Sequence, residues 1–179
     1  MSCCSVVIDS LGKIHYGCED GYTNKIPSVK FPQKFYTAKN GDKILLVGTV
    51  RAGHKFIIDY NLANGELDKI AKEEWWRGKA SDGSLEDDNW ECSAIIIKIT
   101  GEILLVEGPF ENYEISKPGY ASIGSGGDVA RAILWDKLSG KKNVSSNEAK
   151  KVLYRAIEAS CSVGIDGCSL PITIETLEV

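Results

Sequence analysis

The sequence predicts an α+β protein in which strands and helices form separate layers. Predicted elements follow the order strands, helices, strands, helices and a final strand, and such segregated runs argue against a repeating βαβ fold. The chain has 179 residues, of which 43% are hydrophobic and 26% charged, as is usual for a globular protein. Because no repeat, linker or low-complexity tract divides this length, we expect a single domain over residues 1–179.

Two β-hairpins are predicted near the start of the chain. The four apolar runs that form them are SCCSVVID (2–9), GKIHYGCED (12–20), KFYTAK (34–39) and DKILLVGTV (42–50). Asn40-Gly41, between the last two runs, is a strong signal for a tight hairpin turn. Apolar residues then recur at helical spacing, and Asn64-Gly65 should divide this region into two short helices.

The second half of the chain predicts further strands and two longer helices. Strands are expected within 92–108, around a turn at Thr100-Gly101, and at 120–123 and 169–179, with helices at 128–138 and 148–161. Ser146-Asn147 has the residue types of a helix N-cap, which places the start of the last helix there.

Charge and hydropathy exclude several classes of partner. The net charge is −4 and the pI is about 5.3, so no basic surface for nucleic acid is expected. No apolar run approaches the roughly 20 residues that cross a bilayer, so we expect no membrane association. The first residues lack the pattern of a signal peptide, and we therefore expect a cytoplasmic protein.

The cysteines predict neither a metal site nor a disulfide framework. No C-x-x-C pair occurs among the six cysteines, and the chain has only two histidines. We therefore expect no metal. Small buried thiols are the simplest interpretation of Cys18, Cys92, Cys161 and Cys168.

The chain begins with MSCCSVVIDS (1–10), in which residues able to act as nucleophiles directly follow the methionine. Chain termini are usually frayed and polar, but here an apolar strand begins at once. A strand that starts with hydroxyl and thiol side chains indicates that the chain start has a chemical role.

The most informative motif is ASIGSGGDVARAIL (121–134), in which a strand enters a helix through small residues. Such a turn lets the backbone approach another group closely. It lacks the Gly-Lys-Ser/Thr of a P-loop and the G-x-G-x-x-G spacing of a dinucleotide site, so a nucleotide is a poor interpretation.

Several segments, in the correct order, resemble the proteasome family. IGSGG at the start of a helix resembles the corresponding turn of the bacterial peptidase HslV and of proteasome β subunits. LLVGTVRAG (45–53), AIEASCSVGIDG (156–167) and ITIETL (172–177) are similar to later segments of that family, as is the opening strand with Gly12. The resemblance covers most of the chain, although 64–91 matches poorly.

This resemblance implies a four-layer αββα sandwich and the chemistry of an N-terminal nucleophile hydrolase. In that family the first residue supplies the nucleophile, and its α-amino group is the base. An α-amino group has a pKa of about 7.7–8.0, so it is readily neutral near pH 7. The resemblance also implies a homo-oligomeric ring, an unfolded polypeptide substrate, an AAA+ ATPase unfoldase as partner, and no cofactor.

Two residues are candidates for the nucleophile. Ser2 becomes the first residue once the initiator methionine is removed, and it lies ten residues before Gly12, as in proteasome β subunits. The spacing in HslV is one residue shorter and would select Cys3 instead. We favour Ser2 because Cys3 requires that Ser2 also be removed.

The resemblance also assigns a charged pair beside the nucleophile. Lys30 is the best match to the family's active-site lysine, with Lys34 as the alternative. The family's aspartate matches Asp20, or Glu19 if no residue is inserted. The lysine would lower the proton affinity of the nucleophile, and the carboxylate would keep the lysine charged.

The remaining family positions fall on neutral residues. Ala52 matches the glycine whose N–H stabilises the oxyanion, and Ser125 matches a serine near the terminal amine. Ser160 replaces an aspartate that orients the N-terminus, and Val163 replaces a serine. Asp166, in the following loop, is an alternative source of negative charge.

Three functions are therefore consistent with the sequence. The first is a threonine-peptidase-like amide hydrolase that acts within a ring. The second is a catalytically inactive, ring-forming or regulatory protein of the same fold, as Ser160 and Val163 suggest. The third is a small-molecule amidase with an N-terminal cysteine, for which Cys3 and Cys4 argue.

Overall fold

A computed structural model describes residues 3–19, 34–48, 50–71, 92–107, 111–115, 119–163 and 171–178. The strands are β1 Cys4–Ile8, β2 Ile14–Glu19, β3 Phe35–Thr37, β4 Lys43–Gly48, β5 Cys92–Ile97, β6 Ile103–Glu107, β7 Glu111–Glu114, β8 Tyr120–Ile123 and β9 Ile172–Leu177. The helices are α1 Val50–Leu62, α2 Leu67–Ala71, α3 Gly127–Leu138 and α4 Ser146–Ser162. In this part of the chain, no helix has the length and apolarity that crossing a membrane requires.

The strands form two antiparallel sheets. The first sheet has the order β8-β1-β2-β9, and the second has the order β3-β4-β5-β6-β7. Helices α3 and α4 pack on the first sheet, whereas α1 packs on β4 of the second. The order of layers is therefore helices, sheet, sheet, helices, as the sequence and its resemblance predict.

Alternation along the strands builds the three apolar clusters between these layers. In β1, Cys4 and Val6 face the second sheet, whereas Val7 faces α3 and α4. In β4, Leu45 faces the first sheet and Ile44 faces α1 and α2. Successive side chains of a strand point to opposite faces, so a strand covered on both sides needs a nearly continuous apolar sequence.

The turn signals in the sequence are confirmed. Gly41 and Gly101 have positive φ angles of 93° and 89° in the hairpin turns that join β3 to β4 and β5 to β6. Asn64 and Gly65, with φ angles of 52° and 83°, separate α1 from α2. Glycine adopts this left-handed region without the steric cost that a Cβ imposes.

Some local features differ from the sequence prediction. Val50, predicted at the end of the strand over 42–50, is instead the first residue of α1. The N-cap of α4 is Ser145, whose hydroxyl accepts a hydrogen bond from the N–H of Glu148, and Ser146 is the first helical residue. Strand β7, of sequence ENYE, was not predicted because a short polar edge strand carries little of the apolar signal that marks a buried strand.

Candidate active site

Cys3 lies immediately before β1 and is fully buried. Its backbone N–H donates a hydrogen bond to Oε1 of Glu19 at 3.2 Å. The N–H of Glu19 in turn donates to the carbonyl oxygen of Cys3 at 3.4 Å. The antiparallel pairing of β1 with β2 therefore holds the backbone nitrogen of Cys3 against a carboxylate.

That carboxylate also forms a buried ion pair with Lys34. Lys34 Nζ contacts the same Oε1 atom of Glu19 that accepts the Cys3 N–H. The Lys34 and Glu19 side chains are 4% and 0% exposed, so water screens their attraction little. Lys34 directly precedes β3, and its carbonyl accepts the N–H of Leu46 at 2.8 Å. The ion pair therefore joins the two sheets next to Cys3.

Two serine hydroxyls lie beside the Cys3 thiol. Cys3 Sγ is 3.7 Å from Ser5 Oγ and 3.8 Å from Ser122 Oγ, and the two oxygens are 2.6 Å apart. Ser5 and Ser122 are directly opposite each other on β1 and β8. Strand pairing therefore positions both hydroxyls, without any contribution from a loop.

The glycine-rich turn brings α4 to the same place. Ser160 in α4 donates a hydrogen bond to the carbonyl of Gly126, and also lies within 2.9 Å of the carbonyl of Ala156. A Cβ on Gly126 would lie 2.8 Å from Cβ of Ser160 and 3.3 Å from Cβ of Cys3. Glycine is needed because the turn passes closely between Cys3 and α4.

Burial raises the pKa of the Cys3 thiol above its ordinary value of 9.0. Hydrogen bonds with Ser160, Ser5 and Ser122 oppose this increase, and the charge of Glu19 adds to it. A buried thiol surrounded by hydroxyls thus has donors for its anion, even though burial itself disfavours ionisation.

The residues that the sequence assigned to the site divide into two groups. Ser2, Asp20 and Lys30 lie outside the described residues, as does Asp166. Ser160, by contrast, lies beside Cys3. The alternatives named above for the charged pair and the nucleophile, Glu19, Lys34 and Cys3, are the residues that meet at the chain start.

Ala52 lies in α1, and Ser125 lies in the glycine-rich turn. Ala52 is in the first turn of α1 and packs against the apolar cluster beneath that helix. Ser125 is exposed in the turn between β8 and α3.

Sequence reasoning missed Ser5 and Ser122. Their only signal is that each is a small polar residue within an apolar strand, and pairing of β1 with β8 is not visible in one sequence. Among the described residues, no group of three or more His, Cys, Asp or Glu side chains could hold a metal ion.

No family model matches the sequence, and no curated protein matches it. The fold is nevertheless that of the proteasome-like N-terminal nucleophile hydrolases, because solved structures of this class match almost the whole chain. Thiobacillus denitrificans BPH is similar with a TM-score of 0.69 and 14% identity, covering 98% of this chain and 97% of that one.

Two further structures show the same similarity. The T. denitrificans protein in complex with epoxomicin has a TM-score of 0.67 and 14% identity, with 98% of both chains covered. Eukaryotic HslV from Trypanosoma brucei has a TM-score of 0.66 and 18% identity, with 99% of both chains covered. These identities show a shared fold.

Proposed function

We propose that this protein is an N-terminal nucleophile hydrolase of amide bonds, with Cys3 as the first residue of its mature form. One observation carries the proposal: the Cys3 backbone nitrogen and the Lys34 ammonium group both contact the buried Glu19 carboxylate. An α-amine at Cys3 would lie in a fixed position beside its own thiol and a cation, as the chemistry of this class requires.

The proposed reaction uses the free amine of Cys3 as its base. The amine accepts the thiol proton, the sulfur bonds to the substrate carbonyl carbon, and the amide C–N bond breaks as the leaving nitrogen takes that proton. Water then hydrolyses the thioester, which releases the acid and restores the thiol. Lys34 stabilises the developing negative charge, and Glu19 keeps Lys34 protonated.

The other roles are carried over from the family resemblance. The backbone N–H of Ala52 is proposed to stabilise the oxyanion, and Ser125 to pass a proton to or from the terminal amine. Ser160 is proposed to help hold the chain start through the turn at Gly126. Ser2, Lys30 and Asp20, which the sequence alone favours, form the alternative set.

The first test is the N-terminus of the protein purified from its native host. The Cys3 proposal requires removal of both residues 1 and 2, because only then is the nitrogen of Cys3 an amine. Intact-mass measurement should show loss of the Met-Ser dipeptide. Loss of methionine alone would select Ser2, and an untrimmed chain would favour the inactive, ring-forming alternative.

Covalent labelling is the test of activity. Epoxomicin is present in one of the similar structures, and a peptide epoxyketone needs both a nucleophile and a free amine at one residue. We expect epoxomicin to add once to the mature protein, at Cys3. Cys3→Ala and Lys34→Ala should abolish labelling, whereas Ser2→Ala should still be processed and labelled.

Cys92→Ala is the matched control, since Cys92 is also a buried cysteine but lies in the cluster beneath α1. This variant should label as the wild type does. A protein with a proven Cys3 terminus that is not labelled would contradict the proposal and leave the inactive member of the fold as the better interpretation.

Assembly and partners follow from the same proposal. We propose a homo-oligomeric ring in the cytoplasm that encloses the site and receives unfolded polypeptide from an AAA+ ATPase. Light scattering should give a mass several times that of one 19.5 kDa chain. A labelled monomer would instead support the small-molecule amidase.

A further inference from the structure

Ser5 and Ser122 form a hydrogen-bonded pair that lies directly beside the Cys3 thiol. Both are buried, at 0% and 2% exposure, and their oxygens lie 2.6 Å apart. Cys3 Sγ is nearly equidistant from the two, at 3.7 and 3.8 Å. The three atoms therefore form a narrow triangle in which either hydroxyl can turn toward the sulfur.

The neutral thiol is accommodated by one chain of hydrogen bonds. The Ser122 hydroxyl donates to the carbonyl of Cys4 at 3.3 Å. With that direction fixed, the Ser5 hydroxyl can donate to Ser122 and the S–H can donate to Ser5. Every hydroxyl proton in this arrangement has an acceptor, as buried polar groups require.

The thiolate is accommodated by the same atoms after rotation of the O–H bonds. Ser122 then donates to Ser5, and Ser5 donates to the sulfur anion. No proton leaves the pair, and the Cys4 carbonyl loses only its long contact with Ser122. Hydrogen bonds to a charged acceptor are stronger than those between neutral groups, which favours this second arrangement once the thiol has ionised.

We propose that Ser5 and Ser122 act as a reversible hydroxyl pair that positions the Cys3 side chain and donates a hydrogen bond to its thiolate. This inference rests on the proposed function, since it assigns positioning residues to the same nucleophile. Neither serine touches the substrate in this proposal.

The charges around the site agree with a neutral donor pair. Glu19 is the nearby carboxylate, and Lys34 balances its charge. A carboxylate at either serine position would repel the thiolate. A hydroxyl is neutral and can turn either its proton or its oxygen toward the sulfur.

The test is a titration of the Cys3 thiol that does not depend on catalysis. Thiolate absorbance is followed in the ultraviolet from about pH 6 to about pH 10.5, with the Cys3→Ala variant subtracted so that only this thiol contributes. Ser5→Ala removes the direct donor and should lower the ionisation constant of Cys3 about tenfold, which moves the midpoint up by about one pH unit. Ser122→Ala should move the midpoint in the same direction by a smaller amount, because Ser5 still donates to the sulfur.

Ser10→Ala is the matched control, because it removes a hydroxyl near the opposite end of β1 that donates to the carbonyl of Val144. Its titration should coincide with that of the wild type. Ser122→Thr retains the hydroxyl and should restore the wild-type midpoint, and circular dichroism checks that each variant is folded.

The outcomes separate this inference from the proposed function. Equal midpoints in the wild type, Ser5→Ala and Ser122→Ala, or no Cys3 transition below about pH 10.5 in the wild type, would overturn the hydroxyl pair. Shifted midpoints without epoxomicin labelling would retain the pair and reject the hydrolase. Epoxomicin labelling with unshifted midpoints would support the hydrolase and reject the hydroxyl pair.

Discussion

At the scale of single residues, the close packing around Gly126 explains why the glycine-rich turn is present. The turn indicates a close approach of the backbone, and the groups that approach it are Ser160 and Cys3. Gly126 lies between α4 and Cys3. A side chain at this position would therefore disturb both the stability of the protein and the position of the candidate nucleophile.

Gly126→Ala should therefore destabilise the protein by about 1–3 kcal/mol, since the new Cβ overlaps that of Ser160. Urea unfolding measures the effect. Gly53→Ala is the control: Gly53 lies in α1, where a Cβ meets Leu46 Cδ1 at an ordinary 3.5 Å. That change should be neutral or slightly stabilising because alanine favours helix.

The buried ion pair at the chain start gives a second prediction. Lys34→Met should lower the free energy of unfolding by about 3 kcal/mol, because it removes the cation that faces the buried carboxylate of Glu19. Adding Glu19→Gln removes the remaining charge and should recover most of the loss. A double-mutant cycle in urea measures this coupling. Equal stability of Lys34→Met and the wild type would show that the pair contributes nothing to folding.

At the scale of elements, the boundary of α4 shows how a helix start is decided. The sequence predicts the cap at Ser146-Asn147, whereas the structure has it at the preceding residue, Ser145. Ser145 is extended, with φ −72° and ψ 156°, and accepts the Glu148 N–H. Ser146 instead donates to the carboxylate of Asp9, a contact that depends on the first sheet.

Ser145→Ala should therefore lower stability by about 1 kcal/mol through loss of the cap. Asn147→Ala, two positions further along the same helix, should have little effect. Thermal unfolding of both variants distinguishes these cases. A larger loss in Asn147→Ala than in Ser145→Ala would contradict this assignment of the cap.

At the scale of the whole molecule, Asp9 links the first hairpin to the helical layer. Its Oδ2 lies 3.1 Å from Nε2 of the buried His15 and accepts the hydroxyl of Ser146. Its Oδ1 accepts the backbone N–H groups of Leu11 and Lys13 at 2.8 and 3.0 Å. One carboxylate thus ties the turn between β1 and β2 to α4.

This network predicts a dependence of stability on pH. Burial raises the pKa of Asp9, but hydrogen bonds from Ser146, His15 and the backbone outweigh it and lower the pKa from 3.8 to about 2. Because the unfolded chain binds this proton more tightly, the stabilisation is complete above about pH 4 and is lost as the pH falls through about 2.

Asp9→Asn should abolish this contribution, which we expect to be about 1–2 kcal/mol. Urea unfolding between about pH 5 and about pH 2 measures it as the difference between the variant and the wild type. Asp136→Asn, an exposed carboxylate on α3, should follow the wild type. Parallel pH profiles for Asp9→Asn and the wild type would show that Asp9 does not carry the effect.

The amino-acid sequence by itself determined the order and approximate positions of most elements, because turns and apolar periodicity are local. Gly41, Gly65 and Gly101 mark turns through a backbone angle that glycine adopts most easily. The αββα layers followed from that order together with the family resemblance. The polar edge strand β7 was missed because its pairing with β6 is not local.

Tertiary structure brings together the residues that meet around Cys3. The sequence offered two nucleophiles, two lysines and two carboxylates, and it favoured Ser2, Lys30 and Asp20, which lie outside the described residues. Pairing of β1 with β2 places Glu19 against the nitrogen of Cys3, and the junction of the two sheets brings Lys34 to the same oxygen. Contacts between residues far apart in the chain depend on strand register and layer packing, and neither is a local property of a sequence.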